Sequence, residues 1–546
     1  MVDYSPELII FSASLSGIPF NSLKLIYFSA GLSEIQFNSL KFPRIMGSGA
    51  QIILKRKGDL MMHERMPHWL TRQAFLAPDK LALEMPGGDA WTFTTLRNES
   101  ELFARKLAQL SIQKGDKVAI LSNNHLDAVR AIFACSYLGV VAVMLNTRLT
   151  QQELHYQLAN AEVDILLTRP ALQEEKQLDF SKQYTFTDVH ELKERDIALI
   201  DEINLADPFT MMFTSGTTGN PKAVVHTYGN HYWSAVSSAL NLGLHDDDKW
   251  LLTLPVFHIG GFSILMKSVI YGMSVYFMEK YERHILHEAL VKKGVTIASL
   301  VTLMLKDVLE DMAETQFPST VRCILLGGGS VPKNMLDVVE EKQVPLFQSY
   351  GMTETSSQIV TLSKENVSKK LGSAGKPLFP ADVKISNENE SGIGEIIVKG
   401  PMVMNGYFKN DAANKESFKD GWLYTGDLGY IDGDGFLYVV DRRTDLIISG
   451  GENIYPTEIE NALLKIDEIT DAAVIGVTDE RWGQVPVACL VSEEKLDGKR
   501  IIETLEESLA SYKIPRQFHQ VESLPRNASN KVMRHKLVQE FDPHHA

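Results

Sequence analysis

From about residue 62 onward, short apolar runs alternate with longer segments of helical periodicity. One apolar run, KVAIL at residues 117–121, ends in a polar turn at 122–124 that is typical of a helix start. An apolar helical segment through Tyr137 follows, and then a second apolar run at 140–145. Strand, helix and strand therefore occur within about 30 residues, which predicts βαβ units and a parallel sheet. Further buried strands are predicted at residues 164–168, 249–254, 296–300, 323–326 and 346–348.

The pattern changes after about Leu378, where short strands separated by Gly, Asp and Asn turns predict an antiparallel β subdomain. Those strands are predicted at 383–385, 394–399, 422–425 and 436–440, and the end of the chain predicts helices near 457–465 and 501–512. We therefore expect an α/β fold, with a large N-terminal body of parallel α/β sheets plus a small antiparallel β subdomain, followed by a small mobile α+β domain. The expected boundaries are 1–61 for an N-terminal extension, 62–441 for the large domain and 442–546 for the small C-terminal domain.

The N-terminal extension contains a tandem duplication. Residues 8–24 (LIIFSASLSGIPFNSLK) are followed directly by residues 25–41 (LIYFSAGLSEIQFNSLK), and 13 of the 17 positions are identical. Two copies of such a unit cannot bury a continuous core. We interpret the extension as disordered or non-native sequence upstream of a start at Met61 or Met62, and an amphipathic partner-binding arm is the alternative.

Composition and charge narrow the class of protein. The chain has 546 residues, of which 44% are hydrophobic and 23% charged, as in a globular protein. Its net charge of −15 disfavours nucleic acid and anionic membranes as partners, and no uncharged apolar run reaches the roughly 18 residues that a membrane span needs. The three cysteines, Cys135, Cys323 and Cys489, lie far apart in apolar stretches, which favours packing in a reducing compartment and a cytoplasmic location.

The most informative stretch for chemistry is TSGTTGNPK at residues 214–222, directly after an apolar run. Its glycines let backbone N–H groups turn inward, and its hydroxyls and lysine add donors, which suits a polyphosphate. It is not a Walker A loop, because Ala223 follows Lys222 where Ser or Thr would be required. A flexible surface loop is the alternative. The phosphate-binding residues predicted here are Thr214, Ser215, Gly216, Thr217, Thr218, Gly219 and Lys222.

This loop resembles the phosphate-binding signature of the acyl-adenylate-forming enzymes, which include acyl-CoA synthetases, luciferases and the adenylation domains of peptide synthetases. The family's other signatures follow in the family's order, and the resemblance extends over about residues 62–537. They are LPVFH at 254–258, GGGS at 327–330, QSYGMTET at 348–355, YTGD at 424–427, DR at 441–442 and the lysine motif at 525–531.

The resemblance implies that ATP, Mg²⁺ and coenzyme A act with a small carboxylic acid, through an acyl-adenylate. Catalysis of that reaction is mostly positioning plus cations near the developing phosphoryl charge. The catalytic residues it implies are Lys531, His258, Glu354 and Thr353, with Glu354 and Thr217 at the metal and the domain hinge at Thr444. The nucleotide and coenzyme A residues it implies are Gly328, Gly329, Ser330, Tyr350, Gly351, Asp427, Arg442, Gly450 and Gly451.

Two positions depart from the family pattern. Asn530 precedes Lys531 where the family usually has Gly, although Asn tolerates a positive φ better than most residues. Residues 301–303 read VTL where many acyl-CoA synthetases read VPT, which argues against a long fatty-acyl tunnel.

Residues 258–263 and 350–362 most resemble a subfamily that activates an aromatic dicarboxylic acid. Lys267 stands where that subfamily places a basic residue, and a buried carboxylate without a cation would be costly. A generic aryl- or medium-chain acyl-CoA synthetase and a catalytically inactive nucleotide sensor are the alternatives, and a homodimer is expected only because homodimers are common. The predicted substrate contacts are Lys267, Phe262, Ser263, Ser356 and Gln358.

A chain that starts at Met62 tests the interpretation of the extension. We expect its thermal unfolding midpoint to stay within about 2 °C of that of the full chain, because a segment without a core adds little to stability. Calorimetry of the two chains measures this directly. A markedly lower midpoint for the shorter chain would show that the extension packs against the rest.

Overall fold

The computed structural model describes residues 64–215, 221–312, 317–327, 333–389, 392–441, 446–492, 494–526 and 532–542. The N-terminal extension lies outside the described residues, so its interpretation stays a prediction. Within the described residues, no helix has the length and apolar character that a membrane span requires.

The strands, in chain order, are β1 (Arg65–Pro67), β2 (Leu81–Glu84), β3 (Ala90–Thr92), β4 (Lys117–Leu121), β5 (Val141–Leu145), β6 (Ile165–Thr168), β7 (Gln183–Thr185), β8 (Glu202–Asn204), β9 (Pro208–Ser215), β10 (Pro221–Thr227), β11 (Lys249–Leu252), β12 (Ser274–Phe277), β13 (Ile297–Leu300), β14 (Cys323–Leu326), β15 (Leu346–Met352), β16 (Ser357–Leu362), β17 (Ser373–Pro377), β18 (Asp382–Ser386), β19 (Gly394–Lys399), β20 (Gly406–Tyr407), β21 (Phe418–Lys419), β22 (Trp422–Ile431), β23 (Leu437–Asp441), β24 (Ile447–Ser449), β25 (Glu452–Ile454), β26 (Asp471–Asp479), β27 (Gly483–Val491) and β28 (Gln517–Gln520).

The helices are α1 (Trp69–Leu76), α2 (Phe93–Leu107), α3 (Leu126–Leu138), α4 (Gln151–Asn160), α5 (Pro170–Lys176), α6 (Phe186–Glu191), α7 (Tyr228–Leu242), α8 (Ile259–Tyr271), α9 (Arg283–Lys292), α10 (Thr302–Asp311), α11 (Lys333–Glu341), α12 (Asp411–Ser417), α13 (Pro456–Leu463), α14 (Gly498–Glu506) and α15 (Arg534–Phe541).

The first large sheet is built from the predicted βαβ unit. Its strand order is β20-β10-β9-β5-β4-β6-β7, and β4 pairs in parallel with both β5 and β6. The intervening helix α3 ends at Leu138, where Gly139 takes the left-handed conformation that commonly terminates a helix. Only β10 and the short β20 add to this sheet in antiparallel fashion, so the β9–β10 turn lies near one edge.

The second large sheet joins the predicted parallel strands to the predicted antiparallel ones. Its order is β18-β19-β22-β23-β17-β16-β15-β14-β13-β11-β12-β2-β3, with β21 paired to β22. The prediction of antiparallel strands after Leu378 is confirmed, and these strands continue the sheet that the parallel strands begin. The reason is that β15 continues to Met352 and β16 returns beside it, which carries the hydrogen bonding across to β17 and β23.

The small domain carries a sheet of order β25-β24-β27-β26, with β28 added to β27. The helix predicted near 457–465 is present as α13, whereas the helix predicted at 501–512 is wrong in its second half, because α14 ends at Glu506. Leu505 and Leu509 pack into the small domain's own core, but Ala510 packs into a cluster of the large body. The chain therefore leaves the helix to make that contact and forms a short 3₁₀ turn, Ser511–Lys513.

Candidate active site

The β9–β10 hairpin places a lysine beside the loop predicted to bind phosphate. Lys222 pairs with Thr214 on the neighbouring strand, so both flank residues 216–220, which lie outside the described residues. The Lys222 side chain is buried, and its ammonium lies 5.1 Å from the centre of the Tyr407 ring. Tyr407 comes from β20, which pairs with β10. The cation is therefore held in place by its own sheet.

Tyr407 also connects this hairpin to Glu354. The Tyr407 hydroxyl donates a hydrogen bond of 2.8 Å to Oε1 of the buried Glu354 carboxylate. Glu354 lies in a short 3₁₀ turn, Thr353–Thr355, directly after β15. The described residues contain no cluster of three or more His, Cys, Asp or Glu side chains able to hold a metal. A carboxylate of this kind nevertheless fits Mg²⁺, which takes one or two protein carboxylates and completes its shell with phosphate and water oxygens.

Tyr350 on β15 contacts Asp427 on β22. The Tyr350 hydroxyl donates to Oδ2 of Asp427 at 2.8 Å, and both side chains are buried. The next residue, Gly351, lies at a bulge against β16, where a Cβ atom would lie only 2.1 Å from the Ser357 carbonyl oxygen. Only glycine permits this approach, which brings the nucleotide residues of β15 against the start of β16.

The N-terminus of α8 carries His258, Phe262 and Ser263, which are predicted to lie near the acid substrate. We call this part of the candidate site the acyl side. His258 caps this helix and keeps a half-exposed imidazole, whereas Phe262 one turn later is fully buried and packs 5.1 Å from the His231 ring. Ser263 donates to the Gly260 carbonyl at 3.1 Å and lies 3.5 Å from the Ser357 hydroxyl.

Lys267 lies one turn beyond Ser263 and is 1% exposed. Its ammonium lies 4.6 Å from the centre of the Trp250 ring, and no carboxylate of the described residues lies within ion-pairing distance. Burial lowers the pKa of Lys267 to about 7. A cation without an anion in such surroundings is a candidate partner for an anionic ligand.

Ser356 and Gln358, the two predicted substrate contacts at the start of β16, differ in their hydrogen bonding. The buried Ser356 hydroxyl donates to the Met402 carbonyl at 2.8 Å, which is a contact within the large body. Gln358 is also buried, but its Oε1 has no hydrogen-bond partner among the described residues. Gln358 therefore has the stronger geometric claim to a substrate contact, and both roles stay predictions.

Glu452 of the small domain contacts the large body next to His258. Its carboxylate lies 3.2 Å from His258 Nε2 and 2.6 Å from Arg148, and the Asn146 amide donates to it at 3.4 Å. Burial alone would raise the pKa of Glu452, but His258 and Arg148 lower it to about 2. The carboxylate is therefore ionised and tied to the acyl side of the site.

The two glycines before Glu452 allow this approach. Gly450 has a φ of 57° and lies against the Trp482 ring, where a Cβ atom would be 2.7 Å from the ring. Gly451 has a φ of 88°, and a Cβ atom there would lie 3.0 Å from Val301 of the large body. Gly450 and Gly451 are among the residues predicted from the sequence, but the partners Arg148 and Trp482 were missed because neither adjoins a recognisable motif.

A second buried charge crosses between the same two domains. Lys513 donates to Glu458 of its own domain at 2.8 Å and also to Glu153 of α4 in the large body. Burial would lower the pKa of Lys513, but the two carboxylates raise it. All three side chains are buried, and sequence reasoning missed the set entirely.

The remaining predicted residues cannot be placed. The following lie outside the described residues, and their roles stay predictions: Gly216, Thr217, Thr218, Gly219, Gly328, Gly329, Ser330, Arg442, Thr444, Lys531 and the side chain of Ser215.

Comparison with known proteins gives the class. The family model of the AMP-binding enzymes matches residues 70–408, and the model of the AMP-binding enzyme C-terminal domain matches residues 458–531. The chain belongs to the AMP-binding enzymes.

Two relatives are similar to the chain over most of its length. The chain is similar to a 2-succinylbenzoate–CoA ligase of Oceanobacillus iheyensis, with 51% identity over 87% of this chain and 100% of the relative. An equivalent ligase of Bacillus cytotoxicus is 48% identical over 87% of this chain and 99% of the relative.

Solved structures of one relative differ in how well they match. The o-succinylbenzoate–CoA synthetase of Bacillus subtilis, 45% identical, matches with a TM-score of 0.84 as a double mutant bound to a product analogue, over 87% of this chain and 99% of that one. The same enzyme in complex with its acyl-adenylate intermediate matches with a TM-score of 0.69, over 87% of this chain and 98% of that one.

Glu452→Gln tests the contact between the domains. We expect the backbone amides of β24 and β25 to exchange with deuterium several-fold faster in this variant, because the neutral amide loses its attraction to His258 and Arg148. Hydrogen exchange followed by mass spectrometry measures this at pH 7. Glu494→Gln, at an exposed position of the same domain, is the matched control.

The pH dependence of that exchange has a defined sign. The pKa of Glu452 falls from an ordinary 4.5 to about 2 when the small domain contacts the large body. The stabilisation of that contact by Glu452 is therefore complete above pH 4.5 and declines as the pH falls toward 2. Unchanged exchange in Glu452→Gln would contradict the role of this carboxylate.

Proposed function

We propose that the chain is an ATP-dependent ligase that adenylates 2-succinylbenzoate and transfers the acyl group to coenzyme A, with release of pyrophosphate and AMP. This reaction belongs to menaquinone biosynthesis, and the aromatic dicarboxylic acid is the kind of substrate that residues 258–263 and 350–362 indicated. The observation that carries the proposal is that the residues predicted to bind the nucleotide and those predicted to bind the acid lie next to one another. The 3₁₀ turn with Glu354 joins the nucleotide residues of β15 to the start of β16, which faces Ser263 on α8.

The nucleotide residues have separate tasks in this reaction. Lys222 neutralises phosphate charge, and the Thr353 hydroxyl donates to the α-phosphate. Asp427, held by Tyr350, accepts from the ribose hydroxyls. Lys531 supplies a cation for the bridging oxygen that leaves with pyrophosphate.

The metal and the remaining phosphate contacts follow the family pattern. Glu354 would hold Mg²⁺, with the Thr217 hydroxyl beside it, and Arg442 would reach the ribose. When bound, the metal offsets negative charge on the phosphate oxygens. The loop glycines 216 and 219 and the turn at 328–330 would place backbone N–H groups against the nucleotide.

The second carboxylate of the substrate needs a cation of its own. Lys267 is a buried ammonium for which no described residue provides an ion pair, and it lies one turn beyond Ser263 on α8. A bound benzoate carboxylate would complete that pair, and it would also accept a hydrogen bond from the Gln358 amide N–H. His258 lies at the entrance of this helix, on the side of the succinyl carboxylate that is activated.

The described arrangement of the small domain corresponds to the thioester-forming step. Support comes from the better match to the Bacillus subtilis enzyme with a product analogue than with the acyl-adenylate, at TM-scores of 0.84 and 0.69. Gly450, Gly451 and Glu452 then lie against the acyl side, where pantetheine would enter. Rotation about Thr444 would bring Lys531 in for adenylation.

Three further statements remain proposals. The domain boundaries at 61–62 and 441–442 follow the motif order. The cytoplasm is the proposed location, and it agrees with three buried, free cysteines. A homodimer is proposed only on the frequency of that state.

Pyrophosphate exchange with a panel of acids tests the function. We expect exchange with 2-succinylbenzoate in the presence of ATP and Mg²⁺, and formation of its CoA thioester when coenzyme A is added. Strong exchange with benzoate or octanoate and none with 2-succinylbenzoate would favour a generic acyl-CoA synthetase. Binding of ATP without exchange for any acid would favour the nucleotide sensor.

The pKa of Lys267 predicts how the Michaelis constant for the acid depends on pH. Only the ammonium form binds a carboxylate, so the KM for 2-succinylbenzoate should rise as the pH rises above about 7, toward tenfold per pH unit. Lys267→Arg should flatten this rise, because a guanidinium stays protonated. The KM for 4-oxo-4-phenylbutanoate, which lacks the second carboxylate, should not follow it. Equal pH dependence for both acids, or for both enzymes, would remove the assignment.

A further inference from the structure

Behind the Glu354 turn lies a row of buried polar side chains to which the proposed reaction assigns no role. His226 on β10, Thr210 on β9 and His231 on α7 are each at most 2% exposed. His226 Nε2 lies 2.7 Å from the Thr353 carbonyl oxygen, and its Nδ1 lies 3.2 Å from the Thr210 hydroxyl. The Thr210 hydroxyl also lies 2.9 Å from His231 Nε2.

The chemistry of these groups fixes the direction of every hydrogen bond. A carbonyl oxygen only accepts, so His226 carries its proton on Nε2 and donates to Thr353. Burial lowers the pKa of His226 to about 4, so the ring is neutral near pH 7 and its Nδ1 accepts from the Thr210 hydroxyl. That hydroxyl in turn accepts from His231 Nε2. Thr210 and His231 therefore hold His226 in the one tautomer that can donate to Thr353.

The atom that His226 contacts belongs to the turn that carries the proposed catalytic groups. Thr353 and Glu354 begin this turn, and the Glu354 carbonyl accepts from the Met404 amide at 2.8 Å. The Glu354 carboxylate is bonded to Tyr407, whose strand pairs with β10 through Val224. One strand thus supports the turn twice, at the Thr353 backbone and, through its neighbour, at the Glu354 side chain.

We propose that His226 is a positioning residue for the adenylation step, which it serves by fixing the Thr353 carbonyl so that the Thr353 hydroxyl and the Glu354 carboxylate face the phosphates and Mg²⁺. The inference rests on the proposed function, because it takes the turn to be the nucleotide-binding one. It adds a residue outside the nucleotide motifs that acts on the first half-reaction and not on the second.

Three substitutions of His226 distinguish the effect of its hydrogen bond to Thr353 from the effect of its packing. His226→Gln keeps an amide N–H near the position of Nε2 and an oxygen that accepts from Thr210. His226→Asn keeps a polar group near Thr210 but is too short to reach Thr353, and His226→Leu removes both contacts. The thermal unfolding midpoint of each variant reports whether it folds.

The test measures the two half-reactions separately. For the His226→Leu and His226→Asn variants we expect the rate of acyl-adenylate formation at saturating substrates to fall about 10- to 100-fold, because small displacements of reacting groups slow the reaction strongly. Transfer to coenzyme A from preformed acyl-adenylate should stay within about threefold of the original chain, and Gln should restore adenylation. The dissociation constant of Mg·ATP, measured by calorimetry without any acid, should rise for Leu and Asn.

Three results would overturn the proposal: unchanged adenylation in Leu and Asn, equal losses in both half-reactions, or a Gln variant as slow as Leu. The Mg·ATP measurement does not depend on the identity of the acid. If 2-succinylbenzoate is not the acid, the Mg·ATP measurement therefore still tests the His226 role, and a failure of the His226 role would leave that assignment intact.

Discussion

One buried carboxylate, Glu452, connects the small domain to the large body beside His258, at the acyl side of the candidate site. A buried charge without partners costs several kcal/mol, so Glu452 is stable only while His258 and Arg148 lie against it. The position of the small domain therefore depends on a contact within the candidate site. Lys513 of the small domain, a buried cation, likewise depends on a partner in the large body, because it donates to the Glu153 carboxylate. Movement of the small domain must break or replace both contacts together.

The nucleotide side of the site depends on a different kind of interaction. Its side chains are set by directed hydrogen bonds from rigid strands, from Tyr350 to Asp427 and from Tyr407 to Glu354. In the proposed reaction these two carboxylates hold the ribose and Mg²⁺, so the nucleotide is positioned without rearrangement of the strands. In the proposed reaction the large body is thus the fixed part of the site, and the small domain would supply the parts that change between the two steps.

The sequence predicted the parallel strands best where an apolar run is bounded by turns, as at β4 and β14, whose limits are confirmed. Strands β15 and β22 are longer than predicted, because their polar site residues alternate with apolar ones and obscure the pattern. The residues predicted to bind the nucleotide each lie in a short motif, and their roles stay predictions. Arg148 and Glu452 are 304 positions apart, and Lys513 and Glu153 are 360 apart. Ion pairs of this kind follow from how the domains dock, which local patterns do not record.

The most direct test of this account measures the distance between the domains in solution. Spin labels on cysteines introduced at the exposed positions Leu240 and Leu464 report it, since the native cysteines are buried. With coenzyme A and a non-reactive acyl-adenylate analogue, we expect one distance distribution, centred on the value in this structure. With ATP and Mg²⁺ alone, a second, distinct distribution should be populated. The same single distribution under both conditions would contradict the proposal that the small domain moves between the two steps.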